Sequence, residues 1–200
     1  MTEKNIDEAK LVALVRAGDR AAFCRLVQPW EQAVFSAAKA ILNDTAEAEE
    51  VAHDAILSAL ESFHGFRGHQ QFGTWLVRIT VDQARERLGK RDGLGDHSSG
   101  QIGTDGEGDY FPRDLRNWRK IPAEALQQKE LSEGLRWAFT SLPQKCREVF
   151  ALRDIEQLNT YEAAEALGLT PALVRTRLLR ARLQMRDALT QGIRHTVAHS

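Results

Sequence analysis

Thr160 to Arg182 reads TYEAAEALGLTPALVRTRLLRAR, and its punctuation decides how this chain folds. Ala163, Ala164 and Leu167 recur at helical spacing and lead to Gly168, the residue best able to turn a chain sharply after a helix. Thr170 is a good N-cap, and Pro171 a good first residue for the helix that follows. Two helices joined by a tight glycine turn are the pattern of a DNA-binding helix-turn-helix. In the second helix, Val174, Leu178, Ala181 and Met185 follow an i, i+4, i+7, i+11 course and are expected to face the core. The opposite side then shows Ala172, Thr176, Leu179 and Leu183, flanked by Arg175 and Arg180, while Arg177 and Arg182 add positive charge. Such a surface suits a major groove, with arginines for guanine edges or phosphates and apolar groups for thymine methyls. Backbone donors at the helix N-terminus suit a phosphate. The residues expected at DNA are therefore Thr170, Arg175, Thr176, Arg177, Leu179 and Arg180. A merely solvated basic face is the competing reading, and the completeness of the motif weighs against it.

Working outward, Leu131, Leu135, Ala138 and Phe139 mark a helix that ends at Leu142-Pro143, and Val149, Phe150 and Leu152 sit in another. Upstream the composition changes. Gly93 to Gly108 is glycine-rich, polar and almost free of apolar residues, as a flexible linker is. Tyr110, Phe111, Leu115, Trp118 and Ile121 follow, punctuated by Pro112 and Pro122; they are expected to dock either on this chain or on a partner. From Ile6 to Lys90 helical spacing returns. Asp19 caps a helix carrying Phe23, Leu26 and Val27; Pro29 interrupts it; Val34, Phe35, Ala38, Ile41 and Leu42 continue it. Asn43, Asp44 and Thr45 supply a stop and a new N-cap. The next helix is expected to bury Ala52, Ala55, Ile56, Ala59, Leu60 and Phe63, leaving Glu47, Glu50, Asp54 and Glu61 outside. After a loop at Phe66-Arg67-Gly68, a further helix starts near Phe72 with Trp75, Leu76 and Ile79 on one face. The expected fold is all-α: two small helical domains, 6–91 and 129–190, joined by a flexible linker over 92–128.

Composition sets outer bounds. Apolar residues make up 42% and charged residues 28% of the 200, and the formal net charge is −1, so a nucleic-acid binder of this balance has to segregate its charges. Cys24 and Cys146 lie far apart among apolar residues and read as small buried hydrophobes in a reducing, cytoplasmic protein. The polar, acidic stretch from Met1 to Lys10 is not expected to act as a signal peptide, and no apolar run approaches a membrane span. His53, His64 and His69 invite a metal reading, but His53 and His64 would stand about 16 Å apart on one helix, too far for a shared ion. No cofactor is implied. The sequence holds no Walker loop, GxSxG or HExxH, and no enzymatic activity is expected.

Leu142-Pro143, Arg147-Glu148-Val149-Phe150, Tyr161-Glu162-Ala163-Ala164, Leu167-Gly168, Val174-Arg175-Thr176-Arg177-Leu178 and Arg180-Ala181-Arg182 together resemble region 4 of extracytoplasmic-function (ECF) sigma factors. Ala17-Gly18-Asp19, Ala22-Phe23, the DTAEAEEVAHD of Asp44 to Asp54, Phe66-Arg67-Gly68 and Phe72-Gly73-Thr74-Trp75-Leu76 resemble region 2 of the same family. The resemblance implies a factor that binds core RNA polymerase and promoter DNA, with region 4 on the minus-35 element and region 2 on the minus-10 element. It implies polymerase contact at Glu47, Glu50, His53 and Asp54. It implies minus-10 contact at Arg67, His69, Gln70, Trp75, Arg78 and Asp82, although helical spacing puts Phe72 and Trp75 in the core rather than on bases. Strand opening needs a pocket for an unstacked base beside positive charge, and Arg67, Arg78, Arg85, Arg87, Lys90 and Arg91 make that segment basic. The family usually has glutamine at His53 and asparagine at Asp82, which bears on promoter sequence. An anti-sigma factor is a further partner the resemblance implies. The rival class is a helix-turn-helix repressor or activator, normally a dimer reading a palindrome.

Overall fold

A computed structural model describes residues 3–68, 71–91 and 128–197. Every regular element among the described residues is a helix, and no strand occurs among them. Nine α-helices occur among them: α1 (Glu3–Arg16), α2 (Arg20–Val27), α3 (Glu31–Leu42), α4 (Thr45–Glu61), α5 (Phe72–Arg91), α6 (Gln128–Thr140), α7 (Gln144–Phe150), α8 (Thr160–Leu167) and α9 (Pro171–Val197). The all-α expectation is met. The linker expected over 92–128, apart from its last residue, lies outside the described residues, as do Tyr110 to Pro122, His69 and Gln70.

Local chemistry sets the boundaries. The Asp19 carboxylate accepts from the backbone N–H of Ala21 (2.8 Å) and Ala22 (3.1 Å) and starts α2. Pro29 sits in a 3₁₀ turn, Gln28–Trp30, that hands α2 on to α3. Asn43 takes a left-handed conformation (φ 57°) and ends α3; Asp44 then accepts from Glu47 N–H at 2.9 Å and starts α4. Asn159 and Glu162 cap α8 reciprocally, each side chain meeting the other's backbone N–H. Gly168, at φ 66°, turns the chain from α8 toward α9 as its position in the motif predicts.

Two cores result. In the first, Val12 and Val15 of α1 and Phe23 and Leu26 of α2 surround an aromatic cluster of Phe63, Phe66 and Phe72, with Trp75 partly buried against it. The second is not confined to either half. Ala37 and Ile41 of α3 and Val77, Val81 and Ala84 of α5 share one buried cluster with Val149, Leu152, Ala163, Leu167 and Val174. α3 packs on α7 and α5 on α8, so the two helical domains meet along an apolar seam.

Three donor side chains, Arg147, Arg85 and Ser36, fasten that seam. Arg147 Nε donates to the Ala40 carbonyl at 2.6 Å, while Nη1 reaches the carbonyls of Thr140 and Leu142 at 3.1 Å each. Burial pushes the Arg147 pKa down from its ordinary value, and the Glu148 carboxylate opposes that shift. Arg85 donates to Glu148 at 2.8 Å and to the Leu167 carbonyl at 3.2 Å. Ser36 donates to Glu156 at 2.5 Å.

Several expected placements change. α4 buries Ala48, Val51, Ala55 and Ala59 fully, whereas Ala52, Ile56 and Leu60 are only partly covered, because α5 and the aromatic cluster approach α4 from different sides. α5 is buried on more than one face, since it is packed by α3, α4 and α8 at once. Cys146 is buried, but Cys24 is exposed. Leu135 is exposed too.

Candidate nucleic-acid and polymerase interfaces

Thr170 immediately precedes helix α9, and its hydroxyl accepts from Leu173 N–H at 3.2 Å. The inward stripe Val174, Leu178, Ala181 and Met185 is buried as its spacing predicts. Outward, Ala172, Arg175 and Thr176 are exposed, Leu179 is 43% exposed, and Arg180 is partly covered. The Thr176 hydroxyl donates back to the Ala172 carbonyl at 3.1 Å, which fixes its orientation on that face.

Three expected positions do not join this surface. Arg177 is only 6% exposed and Leu183 only 3%, because the width of the inner face of α9 exceeds the four-residue stripe once α6 and α7 both pack on it. Arg182 holds Asp154 with two parallel bonds, Nε–Oδ2 at 2.7 Å and Nη2–Oδ1 at 2.5 Å, and that carboxylate raises its pKa. Its charge ties α9 to the turn after α7 instead of adding to the outer face. What remains outside is a compact stripe of Arg175, Thr176 and Leu179, bordered by Arg180 and ending at Thr170.

The second surface lies on α4. Glu50, His53 and Asp54 are exposed and Glu47 is half-buried. The basic end of α5 runs alongside: Arg87 meets Glu50 at 2.6 Å and Arg91 meets Glu47 at 3.2 Å. Asp54 borders a groove between α4 and α5 that is also lined by Leu57, Glu61, Gln83 and Lys90. Leu57, 46% exposed, is an apolar residue that sequence reasoning missed. Its signal was present, for Glu50, Asp54, Leu57 and Glu61 follow one another at four, three and four residues and so share a face.

Among the expected minus-10 residues, Arg67, Arg78 and Asp82 are exposed, and Trp75 is half-buried with its ring 5.2 Å from Phe66 and 5.8 Å from Phe72. His69 and Gln70 lie outside the described residues. Arg85, one of the basic residues of this segment, is engaged at the seam. No cluster of three or more His, Cys, Asp or Glu able to hold a metal occurs among the described residues. Nor is any helix among them long and apolar enough to cross a membrane.

An all-helical chain with a basic recognition stripe at one end and an acidic face on a separate bundle belongs to the class of two-part, helix-turn-helix DNA-binding factors. Comparison with known proteins narrows the class. The model of sigma-70 region 2 matches residues 26–93 and that of sigma-70 region 4 matches residues 130–185, together more than half of the chain. The RNA polymerase sigma-H factor of Pseudomonas aeruginosa is 29% identical over 190 residues, covering 94% of this chain and 96% of its own. The ECF RNA polymerase sigma factor SigW of Bacillus subtilis is 28% identical over 180 residues, covering 90% and 95%. In fold the chain is similar to CnrH in complex with the cytosolic domain of CnrY, with a TM-score of 0.62, 22% identity and coverage of 92% and 98%. It is also similar to the sigma factor RpoE in complex with the anti-sigma factor NepR from Bartonella quintana, with a TM-score of 0.60, 17% identity and coverage of 84% and 96%. The chain belongs to the sigma-70 family, in its extracytoplasmic-function group.

Proposed function

We propose that this chain is a cytoplasmic sigma factor that binds core RNA polymerase, directs it to particular promoters, opens the minus-10 element and so starts transcription. The observation that carries the reading is the separation of charge: an acidic face on α4 and an exposed Arg175–Thr176–Leu179 stripe on α9, on different helical units of one chain. In this reading residues 6–91 form region 2 and residues 129–190 form region 4. Thr170, Arg175, Thr176, Leu179 and Arg180 meet the minus-35 element. Glu47, Glu50, His53 and Asp54, joined by Leu57, meet a basic surface of the polymerase. Arg67, Arg78 and Asp82 face the minus-10 element. The chain positions and separates strands while the polymerase performs the chemistry, so no catalytic group is required of it. A repressor reading leaves the acidic face of α4 without a partner.

The docked arrangement bears on how such a factor works. Elements centred at minus-35 and minus-10 are about 85 Å apart along B-DNA at 3.4 Å per base pair. A folded chain of this length is only about 40 Å across. The α3–α7 and α5–α8 contacts therefore have to part on the promoter. Residues 92–128, with a contour length of at most about 130 Å, are long enough to allow it. An anti-sigma partner, such as the NepR of the RpoE complex, would act on this equilibrium.

Run-off transcription with sigma-free core polymerase on genomic promoter fragments tests the reading. Specific transcripts are expected only when the protein is added. If core plus this protein never initiates above core alone, it is not a sigma factor.

A further inference from the structure

The stretch between the 3₁₀ turn Phe63–Gly65 and α5 begins at Phe66 and ends at Phe72, and both ends are held by a helix remote in sequence. Arg16 donates from Nη2 to the Phe66 carbonyl at 2.8 Å. Phe72 N–H donates to the Glu8 carboxylate at 2.9 Å. Both partners lie on α1, 50 and 64 residues away in sequence, and α1 falls outside the stretches matched by either family model.

The chemistry suits the task at each end. Phe72 is the first residue of α5, so its N–H has no acceptor within the helix, and a carboxylate is the favoured partner at that positive end. Glu8 and Arg16 are about two helical turns apart and so lie on one side of α1, together with Val12 and Val15. Those two valines are buried in the aromatic cluster that holds the rings of Phe66 and Phe72, whose centroids are 5.8 Å apart. One face of α1 therefore grips the base of this stretch three times: by a carbonyl at its start, by an N–H at its end, and by the apolar floor between. Arg67 and Gln71, immediately inside the two ends, are exposed.

We propose that Glu8 and Arg16 are positioning residues for promoter opening: α1 is a strut that fixes the two ends of the Phe66–Phe72 stretch, and hence the direction in which Arg67 and Gln71 meet the separating strand. The inference rests on the reading of this segment as the strand-opening part of a sigma factor. The physical content is that the exposed side chains of Arg67 and Gln71 gain from being held before an unstacked base arrives, since order lost at the ends has to be restored at each binding event.

The test uses the full chain with core polymerase on a promoter first selected with the wild-type protein. Glu8→Ala and Arg16→Ala are expected to slow strand opening, followed by 2-aminopurine fluorescence in the minus-10 element, by about tenfold, the size of one hydrogen bond to a charged group. Core affinity and minus-35 duplex binding stay at wild-type values. A template with a mismatched, already open minus-10 segment restores the rate, and the conservative Glu8→Gln and Arg16→Lys, which keep an acceptor and a donor, retain most of it on duplex. Unchanged opening by well-folded alanine variants overturns the proposal. So does a loss shared equally by core binding, minus-35 binding and thermal stability, which would make α1 a purely structural brace. If the wild-type protein itself opens no promoter, the sigma reading fails first and the inference with it.

Discussion

Helices α4 and α9 are both amphipathic and both carry a charged outer face, yet they handle that charge differently. On α4 two of the acids are met by arginines of α5, Glu47 by Arg91 and Glu50 by Arg87, while Glu49, His53 and Asp54 are exposed. On α9 the division runs the other way. Arg175 at the start of the helix faces out, whereas Arg177 is buried and Arg182 is tied to Asp154 farther along. Periodicity fixes the angle of a residue around its own helix. Whether the charge at that angle is available depends on a second helix, which periodicity does not see.

The contact between the two halves offers the largest expected effect. Arg147→Ala removes a buried guanidinium that satisfies three carbonyls, Ala40 in one half and Thr140 and Leu142 in the other. Carbonyls left without donors should lower stability by about 3 kcal/mol. Thermal unfolding should move down by about 6–12 °C for a chain of this length. A variant that melts with the wild type would show the seam to be unimportant in solution.

Next in size is the DNA face. Arg175→Ala should weaken minus-35 duplex binding by about 1–3 kcal/mol, read by fluorescence anisotropy, with core affinity unchanged. The paired substitutions Glu50→Lys and Asp54→Lys should do the reverse, weakening core binding while sparing duplex binding. Equal losses from both sets would mean that the two faces do not divide the work.

Arg85→Ala comes third. Its partner Glu148 is only 4% exposed, but Arg85 itself is 38% exposed, so solvent screening holds the expected loss of seam stability to about 1–2 kcal/mol. The consequence is more informative than the size. If the docked form has to part before the chain engages polymerase, weakening it raises the competent fraction and tightens apparent core affinity. The radius of gyration by small-angle scattering should rise together with that affinity. An expanded chain with unchanged core binding would separate docking from regulation.

The helix-turn-helix was legible because its signals are local: Gly168 needs its left-handed turn, Thr170 its N-cap, and Val174 to Met185 a single stripe. The capping box of Asn159 and Glu162 was equally readable from the Asn-x-x-Glu spacing and was passed over. Leu57 was readable as well, since it falls outside the expected buried set of its helix and on the face of Glu50, Asp54 and Glu61. The seam was of another kind. Arg147 and Glu148 stand inside a motif that suggests only a helix, and their partners Ala40 and Arg85 are more than 60 residues away. Nothing in a local window distinguishes an arginine that meets a distant carbonyl from one that meets solvent. Arg177 and Leu183 were misplaced for the same reason, since the packing of α6 and α7 widens the buried face of α9 beyond its own periodicity.

The smallest expected effect returns to α4. Glu50 and Arg87 are 62% and 43% exposed, so their pair should contribute no more than about 0.5 kcal/mol to stability, and Arg87→Ala should melt close to the wild type. Its value lies in binding. While Arg87 holds the Glu50 carboxylate, that carboxylate has to exchange one cation for another when a basic polymerase surface docks. Removing the arginine leaves Glu50 free for the partner, so core affinity should increase slightly at low salt. The gain should vanish near 1 M salt, where the screening length is about 3 Å. A titration of core binding against ionic strength for wild type and Arg87→Ala reads this directly, as two curves that converge. Weaker binding by the variant at every salt concentration would place Arg87 in the interface itself. The α4–α5 surface would then be a mixed-charge contact, unlike the single-sign stripe of α9.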